Sequence, residues 1–467
     1  MTAARPNGAP RVAHLESDVG NAQRLVALHG HDLRWVPRWK TWIVWDGRRW
    51  IRDETGEVER RAKSVVRNLF EEALEASDKE KRKQLATHAL RSESASRIEA
   101  MIRMARSEPG VALDYALLDQ QRRLLPVANG TLDLWTGQLG PYDRGHLMTK
   151  MVDIPYEPAA DCPTWKQTLG VLFGGDQAIV NYMQRAIGYS LTGDTSEQCL
   201  HLCLGTGSNG KSTLLDVLGM LAGDFGAQAD FQTFLERRGE GPRNDVARLA
   251  GARLVRSSEV GDNKRLNEGL IKSLTGGDVI TARYLYSEDF EFSPQFKLWL
   301  AANHKPTIRG TDYAIWRRVR LIPFDVTITA EQADRDLPRK LREELPGILA
   351  WAVEGCQMWL EGGLRPPDRV VSATADYKAE SDTIAAFIAD NCEVGAGFSV
   401  AGGALYTAYK RWADENGEYP MSGTRFGRDL NDRGFPVTRS VTGKVRHGLR
   451  LAYDEKPDFW GRRKDVA

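Results

Sequence analysis

The sequence feature that most constrains the fold is the stretch 205–212, which reads GTGSNGKS. It matches the pattern G-x-x-x-x-G-K-[ST] of a phosphate-binding loop. The apolar run Leu200–Leu204 precedes it, and an apolar helical pattern follows it over 213–221. Strand, loop and helix therefore occur in the order that the motif needs. The sequence predicts an α/β fold with this loop at the end of a parallel strand.

The loop has a direct chemical interpretation. Glycines let backbone N–H groups converge on phosphate oxygens, and a helix N-terminus favours negative charge. We expect Lys211 to reach the β- and γ-phosphates and the Ser212 hydroxyl to bind Mg²⁺, so that ATP and Mg²⁺ are the predicted ligands. The predicted phosphate-binding residues are Gly205, Gly207, Ser208, Asn209, Gly210, Lys211, Ser212 and Thr213.

A second strand has to bring a carboxylate to the metal and to the attacking water. The best candidate is Glu259, which comes shortly after the predicted strand 252–255. The run 296–302 is predicted to be a buried strand, and it ends at Asn303. We expect Asn303 to position water beside the γ-phosphate. Arg317 and Arg318 come before the next apolar run. An arginine there can reach the nucleotide of a neighbouring subunit, or it can be a surface charge or a structural ion pair.

Composition limits the remaining possibilities. A chain of 467 residues is long enough for about two to four domains. The net charge of +1 gives no strong global field, so it neither supports nor excludes a nucleic-acid partner, and any such contact would come from local basic patches. No apolar run approaches the ~20 residues that span a membrane, and no secretory signal is present, so we expect a cytoplasmic protein without membrane contact.

Five tryptophans lie between positions 35 and 50, around the dipeptide Asp46-Gly47. This pattern predicts a β-hairpin. The tryptophans are interpreted either as the core of a small sheet or as a platform for stacking bases.

The order of these motifs resembles the superfamily 3 helicases, ring-forming motors of the AAA+ class, and in particular the poxvirus and phage/plasmid primase-helicases. The stretches that carry the resemblance are 205–212, 272–286 and 303–324, with 129–134 and 188–193 upstream. It extends over about 35–453. It implies a mobile N-terminus over 1–30, an accessory α+β domain over 31–164, an AAA+ motor over 165–325, a helical extension and linker over 326–379, a winged-helix DNA-binding domain over 380–455 and a tail over 456–467.

The resemblance also implies roles for single residues. Lys211 and Ser212 match the Walker A lysine and metal-binding hydroxyl, and Glu259 matches the Walker B carboxylate. Ser258 precedes it where many relatives have a second acid, so Glu259 would serve both metal and water. Asn303 matches a sensor. Arg317 is the first choice for a finger that acts on the neighbouring subunit, and Arg318 the second.

The segment after Arg283 matches the family's pore hairpin, which grips single-stranded DNA. The residues predicted to contact DNA there are Lys272, Arg283, Tyr284 and Lys297, although Tyr284 and Tyr286 could equally pack inside the hairpin. In the C-terminal domain the predicted DNA contacts are Arg425, Arg428, Lys444 and Arg446, with a solvated surface as the alternative.

The implied function is that of an ATP-dependent replicative DNA helicase of a phage, plasmid or integrated element, working as a hexamer on single-stranded and forked DNA in the bacterial host cytoplasm. The family implies 3′-to-5′ travel. Only about thirty residues precede Trp35, with no metal-ligand cluster, so we expect no priming activity and a separate primase as partner. The alternatives are an origin-binding initiator or another DNA-dependent NTPase motor that does not itself unwind.

Overall fold

The computed structural model describes residues 15–237, 243–258, 264–284, 288–308, 313–416, 420–440 and 443–452. The chain is mixed α/β. Helices with two small antiparallel sheets come first, a five-stranded parallel sheet with its helices follows, and a small module of helices and antiparallel strands ends the described chain. In these ranges no helix is both long and apolar enough to cross a bilayer.

The first part packs four helices against a small antiparallel sheet. Its elements are α1 (Asp18–His29), β1 (Leu33–Val36), β2 (Thr41–Trp45), β3 (Trp50–Arg52), α2 (Glu57–Glu75), α3 (Lys79–Ser92) and α4 (Ala95–Ala105). The predicted hairpin is present as β2 and β3, in which Trp45 pairs with Trp50. Trp50 is 0% exposed and Trp42 7% exposed. For these two tryptophans the interpretation as sheet core is confirmed.

A second antiparallel sheet connects this part to the rest of the chain. It consists of β4 (Leu124–Val127), β5 (Gly130–Asp133) and β6 (Gln138–Gly140), and it is followed by α5 (Pro163–Leu172) and α6 (Gln177–Leu191). Leu125 and Leu132 of this sheet belong to the same hydrophobic cluster as Leu214, Leu218 and Ile348. The small sheet therefore shares one core with the central part of the molecule.

The central part is a parallel sheet in the order β13-β7-β12-β9-β8. Its strands are β7 (Leu200–Leu204), β8 (Gly226–Gln228), β9 (Leu254–Ser258), β12 (Lys297–Ala302) and β13 (Val319–Pro323), with the antiparallel hairpin β10 (Ile280–Arg283) and β11 (Asp289–Phe292) outside the sheet. The helices are α7 (Lys211–Ala222), α8 (Asn244–Ala247), α9 (Glu268–Gly276) and α10 (Tyr313–Trp316). All residues of β12 are buried, as expected for a parallel strand covered on both faces.

The chain continues through three helices into a C-terminal module with its own core. The elements are α11 (Leu337–Glu343), α12 (Leu345–Gly362), α13 (Asp368–Glu380), α14 (Thr383–Asn391), β14 (Cys392–Ala401), α15 (Gly402–Glu415), α16 (Gly423–Asp432), β15 (Val437–Ser440) and β16 (Gly443–Leu451). The three strands form an antiparallel sheet in the order β14-β16-β15. Phe387, Tyr409, Phe426 and Leu449 lie in one cluster, so α14, α15, α16 and the sheet pack together.

Candidate nucleotide-binding site

The predicted phosphate loop lies at the carboxyl edge of the parallel sheet, between β7 and α7. Leu204 and Ala302 are register partners, so β7 and β12 end at the same level. The amide of Gly205 donates to the Ala302 carbonyl oxygen at 3.3 Å, and the amide of Phe324 donates to the Leu204 oxygen at 2.7 Å. Loops at this edge of open α/β sheets are where ligands bind.

Two loop positions require glycine. Gly210 has φ of 76°, and a Cβ atom there would lie 2.3 Å from the Leu172 side chain. A Cβ atom on Gly205 would lie 2.3 Å from the carbonyl oxygen of Phe324. The first N–H groups of α7 have no partner inside the helix, as at any helix start. The loop therefore combines close backbone approach with the donor end of a 12-residue helix.

Lys211 occupies the centre of the loop. Its Nζ donates to the Gly205 carbonyl oxygen at 2.5 Å and to Oδ1 of Asn209 at 2.9 Å. The residue is 6% exposed, and burial lowers the pKa of its ammonium. Asn209 in turn donates from Nδ2 to the carbonyl oxygens of Thr206 and, at 3.2 Å, of Phe324. Asn209 thus connects the lysine to the backbone on both sides of the loop.

The side chains predicted to hold Mg²⁺ are only partly within the described chain. Ser212 is exposed at the start of α7, and Thr213 is half-buried. Glu259 lies outside the described residues, directly after β9. In the described ranges no three His, Cys, Asp or Glu side chains are grouped to hold a metal ion. Mg²⁺ is commonly held by only one or two carboxylates together with substrate phosphates, so a hydroxyl and one acid suit it.

Asn303 directly follows β12 and is exposed. Strand β12 pairs with β7 on one side and with β9 on the other. Asn303 therefore lies at the same edge of the sheet as the phosphate loop, because β12 is adjacent to β7. Its action on water remains a prediction.

The two neighbouring arginines after α10 have different environments. Arg317 is exposed, whereas Arg318 is 7% exposed. Arg318 donates from Nε to Oγ1 of Thr275 at 3.1 Å and from a terminal nitrogen to the Ala314 carbonyl oxygen at 2.6 Å. Arg318 as the second choice for a finger is corrected here, because its guanidinium is buried and bonded within its own chain.

The hairpin β10–β11 carries two of the predicted DNA contacts. Arg283 is exposed, and its Nε lies 3.7 Å from Oδ1 of Asp289 on the opposite strand. The Tyr284 ring stacks on Phe290 at 5.2 Å between centroids, and its hydroxyl donates to the Ala247 carbonyl oxygen at 3.0 Å. Tyr284 is still 44% exposed, so packing and exposure coexist. Lys272 is half-buried on α9, and Tyr286 lies outside the described residues.

Lys297 is not placed to contact DNA, which corrects the prediction. The residue is 1% exposed at the start of β12. Its Nζ donates to the carbonyl oxygens of Thr192 and, at 3.0 Å, of Asp194, and lies 4.6 Å from the centre of the Tyr189 ring. Burial lowers the pKa of Lys297 to about 7.

In the C-terminal module, too, some of the predicted DNA contacts are exposed and one is buried. Lys444 and Arg428 are exposed, and Arg425 is half-buried with its Nε 3.6 Å from Asp429. Arg446 is 6% exposed and donates to Asn431 and to the carbonyl oxygens of Gly427 and Phe435. The prediction for Arg446 is therefore corrected, because its guanidinium fastens α16 to β16 and does not face solvent.

A contact between the β10–β11 hairpin and the N-terminal sheet has no signature in the sequence. Arg38 donates to the Asp289 carbonyl oxygen at 2.9 Å, and its guanidinium lies 3.7 Å from the Glu288 carboxylate. These residues are about 250 positions apart, and no periodicity links them. Only the folded chain brings them together.

Three family models match separate parts of this chain. They are described as "D5 N terminal like" over residues 22–174, "Family of unknown function (DUF5906)" over 203–318 and "Poxvirus D5 protein-like" over 379–440. The two D5 matches lie on either side of the parallel sheet and support a relationship to a D5-like primase-helicase family.

The curated relatives include putative helicases and a putative primase of viruses. A putative helicase of Acanthamoeba polyphaga mimivirus is 30% identical over 297 residues, which cover 58% of this chain and 31% of that protein. A putative helicase of Frog virus 3 is 29% identical over 262 residues, or 52% of this chain and 27% of that protein. A putative primase of African swine fever virus is 26% identical over 330 residues, or 64% and 34%. The chain thus spans about a third of the length of these relatives.

Among solved structures, the apo form of the NrS-1 C-terminal region aligns with 93% of this chain and 99% of that one. The sequence identity is 10% and the TM-score 0.49.

Proposed function

We propose that the chain is an ATP-dependent DNA helicase of the superfamily 3, AAA+ type that acts in the replication of a phage, plasmid or integrated element. The observation that carries the proposal is the placement of Lys211 in a glycine-constrained loop at the carboxyl edge of a parallel sheet, with Asn303 after the adjacent strand. The relatives named putative helicases and the D5-like matches support the same activity.

ATP suits the loop for reasons of charge and shape. The ammonium of Lys211 is held by two neutral oxygens, those of Gly205 and Asn209. A phosphate oxygen carries more negative charge than either and makes the stronger, charge-assisted hydrogen bond. Ser212 and Glu259 would hold Mg²⁺, which neutralises phosphate charge when bound. Asn303 would orient the attacking water.

The proposed motor works between subunits of a ring, a hexamer in our proposal. Arg317 is exposed directly after α10, so its guanidinium is free to approach the nucleotide of a neighbouring copy. An arginine supplied in this way stabilises the charge of the transferring phosphoryl group and is worth about 10³–10⁵ in rate. Hydrolysis would move the β10–β11 hairpins in turn along one DNA strand, and Arg283 supplies an exposed cation on that hairpin.

A second candidate function is favoured by the C-terminal module. Lys444 on β16 and Arg428 on α16 are exposed, and helix and hairpin are joined in one module by Arg446. A helix next to a basic hairpin can bind duplex DNA. In this alternative the chain is an origin-binding initiator that hydrolyses ATP without separating strands.

Strand separation tests the two functions against each other. Wild-type protein is mixed with a forked DNA duplex, ATP and Mg²⁺, and release of the labelled strand is followed together with phosphate production. Lys211→Ala is the inactive variant, and Lys166→Ala, which removes an exposed lysine paired with Asp161, is the matched control. We expect separation by the wild type and the control alone. ATP hydrolysis without separation would favour the initiator, and hydrolysis by Lys211→Ala would overturn the site itself.

A further inference from the structure

A cleft of about 1510 Å³ lies between the N-terminal sheet and the β10–β11 hairpin. One wall is formed by the Pro37–Trp39 turn and by β3, and the other by Tyr284, Phe290 and Phe292. This volume is larger than the ~300–1,000 Å³ of pockets for small molecules. The cleft therefore suits an extended ligand.

The first wall presents an aromatic ring in a defined orientation. Trp39 is half-buried, and the guanidinium of Arg52 lies 4.7 Å from the centre of its ring. Trp39 packs against the small hydrophobic cluster that contains Trp50 and Leu118. The ring is thus supported from within the module while it lines the cleft. A supported indole is suited to stacking against a flat, apolar ligand group.

The second wall is also aromatic, and the two walls are tied together at one edge. Tyr284 and Phe290 stack with an interplanar angle of 13°. Arg38, next to Trp39, donates to the Asp289 carbonyl oxygen and faces the Glu288 carboxylate across the junction. The contact keeps the hairpin beside the tryptophan, so that both walls can contact one ligand.

Some charged side chains of the cleft are bonded to other residues, and others are available to a ligand. Asp224 is paired with Arg49, Glu288 with Arg38, and Asp119 accepts hydrogen bonds from the amide and hydroxyl of Thr149. Lys40, Arg52 and Arg122 line the same cleft and are exposed. Within the described chain these three cations are not paired with a carboxylate. Glu54 and Glu291 also line the cleft and are exposed, so three available cations stand against two available carboxylates. Lys40 is the next residue to Trp39 in the chain, so a cation for a phosphate lies beside the ring that can stack on a base.

We propose that this cleft binds single-stranded nucleic acid, with a base stacked on Trp39 and the phosphates contacted by Lys40 and Arg122. Flat bases and a charged backbone together match the aromatic walls and the available cations. The inference rests on the proposed function and adds a second contact surface for the strand, on the N-terminal sheet in addition to the hairpin. A strand held here would lie against the hairpin that the motor is proposed to move.

The chain provides a matched control for the tryptophan. Trp135 is 50% exposed and has the guanidinium of Arg123 5.9 Å from its ring centre, but it does not line the cleft. Binding of a fluorescein-labelled oligo(dT) to the full chain is measured by anisotropy for the wild type, Trp39→Ala and Trp135→Ala. We expect Trp39→Ala to bind about tenfold more weakly and Trp135→Ala to bind like the wild type, since one lost base–aromatic stack is of this size.

The outcomes separate this inference from the proposed function. Wild-type protein that does not bind oligo(dT) at all would count against both. If the wild type bound oligo(dT) and the Trp39→Ala and Trp135→Ala proteins bound it with equal affinity, the proposed binding in the cleft would be wrong. The proposed motor function would not be affected. A crosslinking measurement uses only the wild type and so does not depend on the folding of a variant. Oligonucleotides that contain 5-iodouracil are bound to the protein and irradiated, and the modified peptides are mapped. We expect the peptide with Trp39 among them, and modification confined to the hairpin would also overturn the cleft.

Discussion

The guanidinium of Arg318 donates from Nε to the Thr275 hydroxyl at 3.1 Å, and this contact joins the segment after α10 to the end of α9. Arg317, its neighbour in the chain, is exposed. The two adjacent arginines therefore have different environments: the guanidinium of Arg318 is fixed within the chain, and the side chain of Arg317 is exposed.

Alanine substitutions at the two positions should affect different properties, hydrolysis for Arg317 and stability for Arg318. Arg317→Ala should leave thermal stability unchanged and retain ATP binding, but lower hydrolysis at least about 10³-fold, because a finger acts only on the transition state. Arg318→Ala should lower the free energy of unfolding by about 1–3 kcal/mol, since it leaves buried partners unsatisfied. Thermal unfolding and steady-state hydrolysis distinguish the two.

Mixing provides the control for action between subunits. A mixture of Arg317→Ala and Lys211→Ala proteins contains some interfaces with both intact residues and should regain part of the activity. An inactive mixture, from proteins shown to assemble together, would contradict an Arg317 finger that acts on the neighbour.

Asn209 offers a test of the loop that leaves the lysine in place. Its side chain donates to the Thr206 and Phe324 carbonyl oxygens and accepts from Lys211. Asn209→Ala should weaken ATP affinity, because the loop loses its side-chain hydrogen bonds to the Thr206 and Phe324 carbonyl oxygens and is held less firmly in its binding shape. We expect about a tenfold change, equivalent to ~1.4 kcal/mol, measured with a fluorescent ATP analogue. Lys166→Ala is the control, since its exposed side chain pairs with Asp161 outside the loop. Equal affinities of both variants and the wild type would disprove the role of Asn209.

The sequence predicted best what depends on local order. The loop motif, the strand before it and the apolar run before Asn303 are contiguous, and each lies where the pattern indicates. Exposure of single cations was not predictable in this way. Lys297 and Arg446 occur in segments expected to be near DNA, yet both are buried, because their environment is set by residues of other segments. Thr192, which accepts from Lys297, lies 105 positions away, and Phe435, which accepts from Arg446, lies between α16 and β15.

Lys297 makes the stability of the central part depend on pH. Burial lowers its pKa to about 7 in the folded chain, whereas an unfolded lysine has a pKa of about 10.4. Between these values the unfolded chain binds more protons, so this residue's contribution to stability grows as pH rises and is lost as pH falls towards 7. The wild type should gain stability relative to Lys297→Met above pH 7, by on the order of 1 kcal/mol per pH unit.

Urea unfolding of the two proteins between about pH 7 and pH 9 measures this difference. Methionine keeps the length of the side chain and removes only the titrating group. Parallel pH profiles of the two proteins would mean that Lys297 keeps its proton throughout this range. Arg283→Met is the control. Arg283 is exposed on the hairpin, so this variant should show the same dependence of stability on pH as the wild type.

Lys444 and Arg446 lie on the same strand, and substitutions there should separate DNA contact from folding. Lys444→Ala removes an exposed cation and should weaken binding of duplex DNA and reduce the salt slope by about one, without a change in stability. Arg446→Ala removes the donor to Asn431, Gly427 and Phe435 and should destabilise the C-terminal module by about 1–3 kcal/mol. Duplex affinity at several salt concentrations and thermal unfolding are measured for both. If Lys444→Ala left the salt slope unchanged, the exposed cations of this module would be a solvated surface, and the initiator alternative would lose its support.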